Sequence, residues 1–139
     1  MKRRPASAVA CGASVLVAHA ALAQAACGDT LGAGTLVATS PRYEVAFRPE
    51  PAIAVSRHFA LDVVVCPKDG APDPAAIAVD ASMPEHRHGM NYRPSVAATG
   101  TGRWRAEGLL LHMPGTWEFR FDLATTGGSE RAALRRDIP

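Results

Sequence analysis

The sequence predicts an all-β domain, an antiparallel immunoglobulin-like or cupredoxin-like β-sandwich of about seven strands. Three features predict it. Beyond residue 30, apolar residues recur with period two, giving each segment one dry face and one wet face. Turns rich in Gly and Pro interrupt that alternation at short intervals. No window shows 3.6-residue periodicity bounded by helix caps.

The elements follow in order. Residues 35–39 form a weak first strand. Tyr43, Val45 and Phe47 then alternate with Arg42, Glu44 and Ala46 until Pro49-Glu50-Pro51 breaks the row. Phe59, Leu61, Val63 and Val65 form the next row, closed by Pro67-Lys68-Asp69-Gly70. Residues 76–82 and 94–98 are weaker candidates, and Gly100-Thr101-Gly102 turns the chain into a strand over 103–111. Counting in twos from Trp104 through Ala106, Gly108 and Leu110 places His112 on the Trp104 face, at the end of the sandwich. Met113-Pro114-Gly115 turns into the clearest row of all, Trp117, Phe119, Phe121 and Leu123 against Glu118, Arg120 and Asp122. Residues 131–135 read as a last edge strand. With no internal repeat or linker, residues 26–139 make one domain.

Residues 1–25 read as a signal peptide. Lys2, Arg3 and Arg4 form a basic head, and the apolar run over 13–23 is shorter than the roughly 20 residues a membrane helix needs. Small residues at Ala21, Ala23 and Ala25 offer cleavage near 23–26. The mature chain is therefore expected in the periplasm, without a transmembrane helix. Lipid anchoring at Cys27 is the weaker reading, because Gln24 poorly suits a lipidation box. The whole chain carries 15 basic and 13 acidic residues, so losing three cations leaves 12 against 13. That balance excludes nucleic acid as a partner. Cys11 leaves with the signal, and Cys27 and Cys66 are expected to pair as a disulfide in an oxidising compartment.

The chemistry is concentrated in two short clusters. The first is Met83-Pro84-Glu85-His86-Arg87-His88-Gly89-Met90, and the second is His112-Met113 before Pro114-Gly115. Thioether sulfur binds soft Cu(I) well and hard cations poorly, whereas imidazole accepts Cu(I), Cu(II) and Zn(II). Mixed Met and His in an oxidising compartment therefore point to copper, with Cu(I) favoured. In an extended segment His86, His88 and Met90 project to one side, and Gly89 lets the backbone bend towards His112. The expected ligands are His86, His88 and Met90, completed by His112, Met113 and Met83. His58, alone at the start of a strand, reads as structural.

No enzyme is expected. The chain has no Gly-x-Ser-x-Gly, phosphate loop or His-Glu-x-x-His. Catalytic zinc takes His and carboxylate ligands rather than thioethers. A blue-copper centre needs a Cys ligand, and neither Cys27 nor Cys66 adjoins a histidine.

Residues 80–122 resemble the YtkA-like domain family, which is related to FixH-type proteins. The resemblance is carried by Met83-Pro84, His86, His88-Gly89-Met90, Pro94, Gly102-Arg103-Trp104, Gly108-Leu109 and Met113-Pro114-Gly115-Thr116-Trp117-Glu118. It implies an exported immunoglobulin-like β-sandwich working beside copper-handling or oxidase-assembly proteins. FixH-type members carry a transmembrane helix that is not expected here, which counts against a role as a membrane oxidase subunit. Two functions follow: a periplasmic copper-binding accessory protein for transfer or tolerance, or a metal-free β-sandwich adaptor docking on a periplasmic or membrane complex.

Overall fold

The computed structural model describes residues 25–139, and the expected signal peptide lies outside them apart from Ala25. The strands are β1 (Leu36–Thr39), β2 (Tyr43–Glu50), β3 (His58–Pro67), β4 (Ala76–Met83), β5 (His88–Gly89), β6 (Ser95–Gly100), β7 (Arg103–Leu110), β8 (Gly115–Thr125) and β9 (Gly128–Ile138). The only helical pieces among the described residues are two single 3₁₀ turns, Asp29–Leu31 and Pro84–His86. No helix among these residues is long and apolar enough to cross a membrane.

All the strands belong to one antiparallel sheet, in the order β5-β4-β8-β9-β1-β2-β3-β7-β6. The expected sandwich of about seven strands is thus replaced by nine strands in a curled half-barrel. The physical reason is β9. It pairs along its length with β8 and touches β1 through Thr39 and Ala133, joining what would otherwise be two separate sheets. Residues 131–135 are accordingly the middle of an 11-residue interior strand, not an edge.

The sheet curls so that its halves face each other. Phe47 on β2 lies 5.4 Å and 4.9 Å, ring to ring, from Phe119 and Phe121 on β8, although two strands separate β2 from β8 in the sheet. The alternating rows supply this core: Tyr43, Val45 and Phe47, then Leu61, Val63 and Val65, then Trp117, Phe119, Phe121 and Leu123 are all buried. Tyr43 is fully enclosed, and its hydroxyl donates to the Pro72 carbonyl at 2.7 Å, so the buried polar atom is satisfied.

Cys27 and Cys66 form a disulfide across 39 residues, fastening the N-terminal segment to β3. β7 carries an irregularity that matters for the site. Its register against β3 shifts between Phe59 and Leu61, and Gly108 there adopts φ 85°, a conformation costly for any residue with a Cβ. After the bulge the inward residues are Leu109 and Leu111 rather than Leu110.

Candidate metal centre

The two His/Met clusters meet at one end of the half-barrel. β5 pairs with the end of β4, placing His88 directly opposite Met83. Residues opposed in an antiparallel pair share a face. Met83 is 1% exposed, so its face is the core face, and His88 stands half-buried at the core's mouth. His112 arrives from the other side, in the connection between β7 and β8. Its ring lies 5.0 Å from that of His88. The route differs from the alternation expected along 103–111, because the bulge at Gly108 shifts the phase by one. β7 ends at Leu110, so His112 stands in the connection to β8, where strand alternation no longer sets its direction.

Trp117 forms the floor. It is fully buried, and its ring meets His112 edge-on at 5.5 Å and 89° and His88 at 6.2 Å and 68°. Its Nε1 donates to the Met113 carbonyl at 3.0 Å, fixing the loop that carries His112. Gly115 leaves room for the methionine: a Cβ there would stand 2.6 Å from Met83 Cε.

Two polar atoms in this cluster are unexplained by packing. Nδ1 of His88 and Nδ1 of His112 are both buried, and neither has a hydrogen-bond partner. A buried donor or acceptor left unpaired costs roughly 1–3 kcal/mol, so such groups call for a reason.

The remaining candidates are placed as follows. His86 ends the 3₁₀ turn begun by Pro84, is exposed, and lies 5.8 Å from the His88 ring. The extended geometry expected over 86–90 does not occur. The 3₁₀ turn and Arg87, in the left-handed region at φ 55°, make the bend, and Gly89 instead permits close approach to the Ala81 carbonyl, 3.3 Å from where its Cβ would be. Met90 packs on the core and lines a groove of about 540 Å³ with β4 and Val96, while His88 lines a separate hollow with Met83, Arg87 and Arg120. Met113 is half-buried against the core beside His112. His58 stacks edge-on against Tyr92 at 5.2 Å. Among the described residues no three His, Cys, Asp or Glu side chains converge as a metal-holding group. In the sequence Trp117 reads only as core; in the structure it is also the floor of the cluster.

No protein-family model matches the sequence, and no curated protein matches it. A solved structure, that of a DUF4426 family protein from Pseudomonas aeruginosa PAO1, is similar in fold, with a TM-score of 0.50 at 13% identity over 76% of this chain and 94% of that one. That likeness bears on the β-rich fold alone.

Proposed function

We propose that this chain is a periplasmic copper-binding accessory protein of the YtkA-like kind, holding Cu(I) as cargo for transfer or tolerance. The observation that carries the reading is the His88–His112 pair: two imidazoles 5.0 Å apart, each with a buried, unpartnered Nδ1, opposite a buried thioether. Bonds of about 2.0 Å from one ion to both rings would put the ring centres about 6.4 Å apart if the three were in line. The 5.0 Å separation lies within that reach, so one ion could meet both rings and take sulfur as a third ligand. Met83, opposite His88, and Met113, next to His112, are the candidates for it. A low-coordinate site of imidazole and thioether suits Cu(I) and poorly suits Zn(II), which takes four ligands in structural sites.

Trp117 supplies the test. An ion between His88 and His112 lies against its ring, so anaerobic addition of Cu(I) to a Trp104→Phe protein should quench the remaining indole fluorescence and saturate near one equivalent. Emission unchanged by Cu(I) would remove the ion from this pair.

The second reading is the metal-free adaptor. It is favoured by β6. That strand ends the sheet, and its sequence, Ser-Val-Ala-Ala-Thr-Gly, has no charge to discourage pairing with another strand.

A further inference from the structure

Three imidazoles stand in a row at the mouth of the half-barrel, the outermost exposed and the other two half-buried. His86 is exposed on the 3₁₀ turn, His88 is half-buried 5.8 Å further in, and His112 lies 5.0 Å beyond, against the buried Trp117. Only the inner two have a buried, unpartnered Nδ1. The His86 and His88 rings, 5.8 Å apart, also lie within the roughly 6.4 Å that one ion can bridge, so the ion can touch both in passing.

We propose that His86 is the entry ligand of the site: it takes Cu(I) from an incoming donor and passes it inward to His88 and His112, without being a ligand of the loaded state. The proposal rests on the copper reading above. The step is an exchange of neutral ligands. A bond from the ion to a sulfur or nitrogen of the donor breaks as one to a His86 ring nitrogen forms. The bonds to His88 and His112 then form as His86 lets go. Copper stays Cu(I) throughout and no electron moves. The donor is a Cu(I) carrier whose own ligands are thioether or imidazole, because such ligands release the ion to another soft set at comparable affinity. It docks over the turn at Pro84–His86, the exposed end of the row.

The experiment uses the Cu(I)–bicinchoninate complex as donor, mixed anaerobically with the protein in a stopped-flow instrument while the colour of the complex decays. Wild type should react at a rate that rises with protein concentration, the mark of a shared intermediate. His86→Ala should lower that second-order rate constant roughly tenfold while changing the equilibrium affinity less than about threefold. Glu85→Ala, on the same exposed turn, should change neither. A matching loss of affinity in H86A would make His86 a permanent ligand and overturn the proposal, as would an unchanged rate. If wild type takes no copper from the complex, the copper reading itself fails; if wild type loads normally and H86A loads as fast, only the entry role fails.

Discussion

His112→Phe is expected to stabilise the metal-free protein while abolishing copper uptake. Phe keeps the edge-on contact with Trp117, now 5.5 Å between ring centres, so the aromatic pair, worth about 0.5–1.5 kcal/mol, is retained. It also removes the buried, unpartnered Nδ1, whose desolvation costs roughly 1–3 kcal/mol. Against that stands one extra ring atom at a half-buried position, for which overpacking costs about 1 kcal/mol. The net is a gain of about 1 kcal/mol, or a rise in melting temperature of about 4 °C for a domain of this size. Thermal unfolding of both proteins in excess chelator, followed by near-ultraviolet circular dichroism, measures it. A histidine kept for packing would respond in the opposite sense. Destabilisation by more than about 1 kcal/mol would show that His112 is structural and that its nitrogen was no burden.

Three further outcomes follow from the same structure. Replacing both Cys27 and Cys66 with Ser releases a 39-residue loop and should lower stability by about 4 kcal/mol in guanidinium titrations; a loss under about 1 kcal/mol would mean the N-terminal segment adds little to the folded sheet. Gly115→Ala places a Cβ 2.6 Å from Met83 Cε at φ 130° and should cost about 2 kcal/mol or more, read from the same titration; a neutral result would show that Met83 moves aside freely. Glu130 accepts hydrogen bonds from the Ser40 hydroxyl and from the backbone N and Nε of Arg42, and these hold its pKa down to about 2 from 4.5. Its folded pKa is depressed, so its contribution is complete above about pH 4.5 and is lost as pH falls through about 2. Melting curves of wild type and Glu130→Gln should therefore differ at pH 5 and converge at the acid end; a constant offset across that window would contradict the linkage.

The strands with clean alternation were legible because one face of each is buried. β2, β3 and β8 follow their predicted rows through the core. β9 was not legible as an interior strand, since Ala132 and Ile138 are its only buried residues. Arg136, opposite Trp117 in the register, interrupts its inward row and is exposed at the sheet's end. The half-barrel was hidden for a related reason. Its two halves join where Thr39 meets Ala133, a long-range pairing that no local pattern encodes. At the site, the crowding of His and Met marks the two clusters in the sequence, whereas the Gly108 bulge shifts the phase of β7, so alternation alone does not carry His112 to them. Pro84 was the readable sign that 84–87 would turn rather than extend, for proline favours the first turn of a helix.

The central claim is that His88 and His112 together hold Cu(I). It is tested most directly by anaerobic competition for Cu(I) against a chromophoric chelator, comparing wild type with the His88→Ala/His112→Ala protein. Wild type should take up about one equivalent, and the double variant should lose affinity about a hundredfold or more, as expected when two imidazole ligands of a three-ligand site are removed. Equal competition by both proteins, or none by wild type, would contradict it.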